Sequence, residues 1–508
     1  MNELALVNGQ VITMEASIPL AEAVLVRDGK ISLVGTSREV SSRRSAGAEI
    51  IDLKGRTVLP GFIDTHVHLI STGLSMMGPR LGSLHTLPEV LSALANEAQK
   101  QPTIVKASGL DPYLLSGGHL LTRWELDRII PDKLVYVVRR DGHAVVVNTR
   151  TLEGLTLPPD THGIERDAST GEPTGILKAD ARRIAGERLT HITADLRKEA
   201  IRLATKNAVQ VGLTTVHALD GGWPRGYEDI RSLLSMAPSL PAKIVVYYQT
   251  KDVGKALELG LPRIGGCLLV DGSVASHTAA LTIPYTDLPD TEGVLYFSDQ
   301  ELRTFIREAH AAGLQVSMHS IGDRAIQQLL DAFEAVLQET PRADHRHRIE
   351  HFMLASPGQI ERASRLGLHV SMQPAFLHFG EDRKNVYAER LGPERSGAVN
   401  PLRQAMDAGI TVAGGSDSFI TPMNPLLGIH AAVNDHPLES RLTPQKALEM
   451  FTVNGARIAF EEDRKGSIKS GKDADLVVLG ENPLTCPPGS IKDIPIEMTL
   501  VNGVVLKD

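Results

Sequence analysis

Histidines and one aspartate end a series of short apolar segments in this chain of 508 residues. His66 and His68 end the first such segment, His319 and His351 end two later ones, and Asp417 ends the last. Imidazoles and a carboxylate that meet in one place form the kind of ligand set that zinc binds. The pattern therefore predicts a metal site.

These residues would meet if their segments lay side by side as parallel strands. The middle of the chain alternates apolar runs with amphipathic segments, which is typical of a parallel sheet covered by helices. In a (β/α)8 barrel the carboxyl ends of all the strands share one face, where active sites lie. We predict an α/β fold with barrel strands at 58–68, 213–218, 243–248, 267–272, 314–319, 347–352, 368–373 and 410–417.

The pattern as a whole carries more weight than any one histidine. A single histidine at a strand end is more often a polar cap than a ligand, and a His-x-His pair is only moderately specific. His66 and His68 are two apart on a strand, so both side chains point to the same side. The order His-x-His, His, His, Asp on predicted strands 1, 5, 6 and 8 favours a metal site over coincidence.

The remaining segments predict two further parts of the molecule. Both ends of the chain have short alternating strands with turns such as Asp28-Gly29, so 1–56 and 465–508 predict one small β-sandwich domain, or else two separate β caps. The barrel is assigned to 57–69 and 191–464. Residues 70–190 are too long for a loop and predict an inserted α/β subdomain over the barrel mouth. Two helices are predicted to begin at capping residues, Ser298 and Ser356.

Composition and charge exclude several classes of protein. The net charge is −8 and the sequence has no basic block, which argues against nucleic acid as a partner. No apolar stretch is long enough to predict a membrane span, and the N-terminal residues resemble a strand, not a signal peptide. Two cysteines do not make a disulfide framework. The expectation is a cytoplasmic enzyme that acts on a small molecule.

Six motifs carry a resemblance to a known family: GFIDTHVHL, VDGSVASHTAAL, SMHSIGDRAIQ, RIEHF, GGSDS and KGSIKSGKDADLVVL. The sequence resembles the amidohydrolase superfamily and, within it, amidohydrolase family 3, the branch with N-substituted formamide deformylase. The resemblance implies a metal-dependent hydrolase that cleaves a non-peptide carbon–nitrogen bond of a linear amide, N-acyl amine or formamide by attack of metal-bound hydroxide. A cyclic amidase, a heterocycle deaminase, an esterase or lactonase, and a non-catalytic binding barrel remain alternatives.

The resemblance also implies roles for the donors. His66, His68 and Asp417 would hold the more buried metal, and His319 and His351 would hold a second ion if one binds. Asp417 would carry the proton from water to the leaving nitrogen. With a single ion, His319 or His351 would be free to orient the substrate. Zinc is the expected metal, in one or two copies, with other divalent transition metals as alternatives; a homodimer is the expected assembly.

Cys267 departs from the family pattern. Family 3 usually has a lysine four residues before the aspartate of the DGS motif, and that lysine, once carboxylated, bridges two metals in related enzymes. Here the position is Cys267. A thiolate is a good zinc ligand and would bridge in place of the lysine. Alternatively, Cys267 is a small apolar core residue and the site holds one metal.

Four other residues are predicted to contact the substrate. Asp271, Ser273 and His277 follow the fourth predicted strand, and His143 lies in the predicted insertion. The alternative for the first three is a loop held by Asx and Ser hydrogen bonds, and for His143 a structural histidine. The run 342–348, RADHRHR, predicts a solvated turn.

Overall fold

The computed structural model describes residues 3–112, 115, 121–140, 142–158, 160–189, 192–222, 226–378 and 380–506, with only the backbone of 380–385. Eight parallel strands form its central sheet, and neighbours in the chain are neighbours in the sheet. A bridge between Val67 and Ser418 joins the last strand to the first, so the sheet is a barrel, as predicted. Its strands are β1 (Phe62–Val67), β2 (Leu213–Asp220), β3 (Lys243–Tyr248), β4 (Arg263–Ile264), β5 (Gln315–Ser320), β6 (Arg348–His351), β7 (His369–Met372) and β8 (Val412–Gly414).

The fourth strand is not where the sequence predicted it. The prediction was 267–272, but β4 is Arg263–Ile264, and only an isolated bridge from Leu269 to His319 continues the pairing. Gly265 and Gly266 follow β4 with φ of 95° and 57°, a backbone conformation that interrupts a strand. The apolar run CLLV, which lies beyond this break, resembled a buried strand in the sequence.

Helices cover the outside of the barrel and alternate with its strands, as expected for a (β/α)8 fold. Ser298 and Ser356 each form the predicted N-terminal cap, with Glu301 and Gln359 completing the two capping boxes. No helix in the described ranges is long and apolar enough to cross a membrane. The helices of the barrel domain are Leu69–Met77, Ala194–Gln210, Tyr227–Met236, Val253–Glu258, Asp299–Ala311, Asp323–Glu339, Pro357–Arg365, Gly380–Gly397, Leu402–Asp407, Pro425–Asn434, Pro444–Met450 and Val453–Arg457.

Both ends of the chain build a β-sandwich beside the barrel. One sheet has four strands, and the other has six and combines residues from the two ends. Leu6 and Val24 of the first sheet pack with Leu476 and Leu500 of the second in one apolar core. The strands are Glu3–Val7, Ala23–Arg27, Lys30–Gly35 and Glu49–Asp52, and then Gln10–Ile12, Leu20–Ala21, Thr57–Pro60, Leu476–Leu479, Ile496–Val501 and Val504–Leu506; the helix Ser37–Arg43 packs beside them.

The segment between β1 and β2 forms an α/β subdomain with its own sheet and its own apolar clusters. Its strands are Ile104–Leu110, Leu134–Arg139, Ala144–Val147, Ile164–Arg166 and Pro173–Lys178, and its helices are Leu87–Lys100, Arg123–Ile129, Thr149–Leu155 and Ala179–Leu189. Several of its side chains line the cavity at the barrel mouth, so the insertion covers that face.

The segment 342–348 is not the solvated turn that the sequence suggested. His345 and His347 are buried, and so is Arg348. His347 accepts a hydrogen bond from the backbone N–H of Val316 at 2.9 Å, and its Nε2 lies 2.8 Å from Nδ1 of His310. Burial lowers the pKa of His347 well below its usual value, so the ring is neutral and is suited to accept these bonds. The prediction of a solvated turn was wrong because it rested on the charged residue types of this segment, whereas neutral histidines can pack as core residues.

Candidate metal centre

The carboxyl ends of the strands bring the predicted donors together at the bottom of one cavity. The cavity has a volume of about 840 Å³, within the range of small-molecule sites. Its described lining includes His68, Cys267, His319, His351 and Asp417. His66 lies beneath them and is fully buried.

Among the described residues, three groups of donor atoms could each hold a metal ion, with the atoms of a group within 4.8 Å of one another, and the two groups at the cavity both include His66. The first is His66, His68 and Asp417, and the second is His66, Cys267 and His351. Asp417 Oδ1 lies 3.3 Å from His66 Nε2 and 3.2 Å from His68 Nε2. His319 joins the second group through Nδ1, which lies 3.6 Å from Cys267 Sγ. The donors therefore form one continuous cluster.

The spacing of these atoms fits a metal between them. Two nitrogen or oxygen ligands of a tetrahedral zinc lie about 3.4 Å apart, and a thiolate and an imidazole about 3.6 Å apart. The observed separations of 3.2 and 3.3 Å around Asp417, and 3.6 and 3.9 Å from Cys267 Sγ to His319 and His351, are close to these values. His66 Nε2 and Asp417 Oδ1 are buried, and neither makes a hydrogen bond within the described part of the chain. A buried polar atom without a hydrogen-bond partner is energetically costly. A metal ion bound between these two atoms would supply the partner that each lacks.

Each histidine is oriented by a bond from its other ring nitrogen. His66 Nδ1 lies 2.7 Å from Glu350 Oε2, and His68 Nδ1 lies 3.0 Å from the carbonyl oxygen of Leu219. His351 Nδ1 lies 2.6 Å from Oε1 of Gln373. Such partners fix the ring and raise the basicity of the nitrogen that faces a metal.

Burial and mutual charge set the protonation of the cluster. Burial alone would raise the pKa of Asp417, but His66 and His68 hold it well below its usual value. Burial likewise opposes ionisation of Cys267, yet His66, His319 and His351 lower the pKa of its thiol strongly. The pKa of His68 is raised to about 10 in spite of burial, because Asp417 and Cys267 favour its charged form. The cluster thus combines two anionic donors with cationic neighbours, an arrangement in which a divalent ion would take the place of bound protons.

Strained backbone turns place two of the donors. His351 and Asp417 have φ of 71° and 54°, in the left-handed region that non-glycine residues rarely adopt. Such conformations cost about 1–3 kcal/mol each and persist where the surrounding structure fixes them, often at functional sites. Gly415 allows β8 to approach, because a Cβ at this position would lie 2.6 Å from the Cβ of His66.

Glu350 is a residue beside the donor cluster that the sequence analysis missed. Its carboxylate is fully buried and receives hydrogen bonds from Arg348 and Ser317 in addition to its contact with His66. Burial would raise its pKa, but Arg348 and His66 lower it to about 2, so Glu350 is ionised. The sequence feature that could have identified Glu350 was its position in RIEHF, directly before His351. His217, within β2, also contacts this group, because its Nδ1 lies 3.2 Å from Nη1 of Arg348.

Asp64 is a second missed residue. Its Oδ1 accepts hydrogen bonds from the backbone N–H groups of His66 and Ser416, which ties the end of β1 to the loop after β8. Burial raises its pKa to about 6. Its position two residues before His66 in GFIDTHVH was the signal.

The four predicted substrate contacts separate into two pairs. His143 and Ser273 line the cavity, and the His143 ring lies 5.9 Å from the His319 ring. Asp271 and His277 are not among the described lining residues. Asp271 accepts hydrogen bonds from three backbone N–H groups, two of them in the loop directly after His319, and His277 lies 2.9 Å from a carboxylate oxygen of Asp287.

Comparison with known proteins identifies the family. The model of the amidohydrolase family Amidohydro_3 matches residues 49–506. The chain belongs to the amidohydrolase family. It is therefore a metal-dependent hydrolase acting on carbon–nitrogen bonds other than peptide bonds. This agrees with the resemblance drawn from the six motifs.

Individual relatives of this amidohydrolase match over nearly its whole length. It is 31% identical to Protein LONG AFTER FAR-RED 3 of Arabidopsis thaliana, over 94% of this chain and 87% of that protein. It is 28% identical to N-substituted formamide deformylase of Arthrobacter pascens, over 99% of this chain and 98% of that one. The crystal structure of an uncharacterized metal-dependent hydrolase from Pyrococcus furiosus superposes with a TM-score of 0.76 and 28% identity, covering 95% of this chain and all of that one.

Proposed function

We propose that this amidohydrolase cleaves a linear amide, an N-acyl amine or an N-substituted formamide, using zinc at the barrel mouth. The observation that carries the proposal is the cluster of donors beneath a cavity sized for a small molecule: His66, His68, Cys267, His319, His351 and Asp417. The similarity to N-substituted formamide deformylase supports the choice of a linear amide.

In this proposal the donors hold two ions. His66, His68 and Asp417 would hold one ion and His319 and His351 the other, and Cys267 would serve as a thiolate ligand to both in place of the lysine expected in family 3. A divalent metal in this position would supply a water of near-neutral pKa and would polarise the scissile carbonyl. If only one ion binds, His351 orients the carbonyl instead.

The chain's own residues position the substrate and move the proton. Asp417 accepts the proton of the attacking water and delivers it to the leaving nitrogen. His143 and Ser273 contact the substrate from the cavity wall. Asp271 acts on His319, because its carboxylate holds the loop that follows β5 and lies 3.5 Å from the His319 ring. His277 makes no substrate contact in this proposal.

A substrate panel tests the proposed function. The zinc-loaded enzyme should hydrolyse N-substituted formamides or p-nitroanilides and should lose this activity on chelation. Cyclic amides and p-nitrophenyl esters of matched size serve as comparison substrates. Turnover confined to the esters would identify an esterase, turnover confined to cyclic amides would identify a cyclic amidase, and either result would overturn the proposal.

Substitution of Cys267 tests the bridge. Cys267→Ala should reduce bound zinc from about two ions per chain to about one, since the thiolate is a ligand to both. Elemental analysis of protein purified without a metal-affinity tag measures this content. Cys486→Ala is the matched control, because Cys486 lies outside the donor groups. Unchanged zinc in Cys267→Ala would assign Cys267 to the core.

Substitution of Glu350 tests the orientation of His66. Glu350→Gln should weaken zinc binding about 10- to 100-fold, the usual cost of losing a carboxylate partner of a ligating histidine. Competition with a chromophoric chelator measures the affinity, and circular dichroism verifies that the variant is folded. Glu334→Gln, at a carboxylate that pairs with Arg362 on the outer helices, is the control. Equal affinity in Glu350→Gln and the control would remove Glu350 from the metal site.

A further inference from the structure

Arg139 is a buried arginine in the wall of the active-site cavity. It ends the strand Leu134–Arg139 of the insertion, is 6% exposed and lines the cavity. Its Nε atom is buried and has no hydrogen-bond partner in the part of the chain that the structure describes. Its guanidinium forms no ion pair with any aspartate or glutamate of the described residues.

The other buried arginines of the described chain all have a carboxylate partner. Arg348 pairs with Glu350, Arg197 Nε lies 2.7 Å from Asp229, and Arg140 lies 3.7 Å from Asp111. Arg139 is the exception among four. The difference is not explained by exposure, since all four are buried to a similar degree.

An unpaired buried guanidinium needs a partner from elsewhere. Removing a charge from water is costly unless an opposite charge and hydrogen bonds compensate. Arginine cannot relieve this cost by losing its proton at ordinary pH. Because Arg139 lies in the cavity wall, a ligand in the cavity is in a position to supply the missing anion. Its planar fork of N–H donors matches a carboxylate in two parallel hydrogen bonds.

The segment that follows Arg139 reaches the donor cluster. Four residues after Arg139, the ring of His143 lies 5.9 Å from the ring of His319. Arg140 Nε donates to the carbonyl oxygen of Ile420 at 3.2 Å, and Ile420 follows Asp417 by three residues. The insertion is therefore fastened to the barrel mouth at this point, and Arg139 belongs to the same chamber as the reacting groups.

Apolar side chains line part of that chamber between Arg139 and the barrel. Tyr136 and Val138 precede Arg139 on its strand and line the cavity, and Met353, Phe376 and Phe419 line it from the barrel side. A ligand that reaches both the donor cluster and Arg139 would pass along these side chains. It would carry an amide at one end, an apolar middle and an anion at the other end.

We propose that Arg139 determines specificity for amides that bear a carboxylate, such as N-acyl or N-formyl amino acids. The inference rests on the proposed amide hydrolysis and names its substrate class. The carboxylate pairs with the Arg139 guanidinium while the amide carbonyl lies at the donor cluster. A neutral amide leaves Arg139 unpaired and binds less well.

Matched substrates test this specificity in the zinc-loaded enzyme. N-formyl amino acids of increasing chain length are compared with the corresponding N-formyl amino alcohols, in which CH2OH replaces the carboxylate. The wild type should favour the acids in kcat/KM, and Arg139→Met should lose about 30-fold or more on the acids, as expected for truncating one partner of a buried charge pair, with little change on the alcohols. Arg139→Lys should recover part of the loss. Arg183→Met is the control, because Arg183 also lines the cavity but is exposed and pairs with Glu187.

A binding measurement separates this inference from the proposed function. Calorimetric titration compares glutarate with butyrate, which differ by one carboxylate. Tighter binding of glutarate than of butyrate to the wild type, with this preference lost in Arg139→Met, would support the anion site. If none of the amides were hydrolysed at the same time, the proposed amide hydrolysis would be rejected and the anion site would stand. The role of Arg139 would be overturned if the wild type, like Arg139→Met, hydrolysed the acids and the alcohols equally well, or bound glutarate and butyrate equally tightly. The proposed amide hydrolysis would then still stand.

Discussion

Asp417→Asn should retain its metal and lose about 100- to 10,000-fold in kcat, the usual contribution of a positioned acid–base group. The amide oxygen of asparagine occupies the place of Oδ1, which lies 3.3 Å from His66 Nε2 and 3.2 Å from His68 Nε2. It can still contact a metal, but the amide is too weak a base to accept the proton of water. Metal content and steady-state kinetics on the same preparation measure the two effects.

A carboxylate outside the cavity provides the control for this variant. Asp331 lies 2.6 Å from Nη1 of Arg362 on the outer helices and is not part of the described cavity lining. Asp331→Asn should change neither metal content nor kcat. Near-normal turnover in Asp417→Asn would show that Asp417 is not the proton carrier. Loss of metal from that variant would show that Asp417 is a ligand whose negative charge is needed for metal binding.

His66→Ala should lose metal and reduce hydrolysis to the uncatalysed rate. His66 belongs to both groups of donor atoms, so its removal disrupts both proposed metal positions. The substitution also leaves the ionised, fully buried Glu350 without its imidazole partner, which opposes folding. Elemental analysis measures the metal, and thermal unfolding shows whether the protein is folded.

His85→Ala is a surface control for the loss of an imidazole. It should bind metal like the wild type. A folded His66→Ala protein with its full complement of metal would show that the ligand assignment is wrong. If His66→Ala does not fold, His68→Ala provides the same test, because His68 is part of the first donor group but is partly exposed.

The sequence predicted the donor cluster because strand ends and residue types are local features. His66 and His68 follow a period of two, and parallel strands in chain order bring His319, His351 and Asp417 to the same face. The helix caps at Ser298 and Ser356 were predictable for the same reason, since the capping box lies within four residues. These inferences needed no knowledge of long-range packing.

The remaining features depend on contacts between distant segments. Glu350 contacts His66 across 284 positions of sequence, and no local pattern reports that pairing. Arg139 became informative only when its burial was known and no carboxylate of the described residues was found to pair with it. Asp271 and His277 have the right residue types for substrate contacts, but their hydrogen bonds to a backbone loop and to Asp287 could be read only from the structure. The fourth strand was misplaced because two consecutive glycines with positive φ end it early.

The metal content of the purified enzyme, measured together with its amide hydrolysis before and after chelation, tests the central claim most directly. The account predicts about two zinc ions per chain, loss of hydrolysis when they are removed and recovery when zinc is restored. Undiminished hydrolysis by protein that retains no metal would contradict it, because the cluster at His66 would then play no part in the reaction.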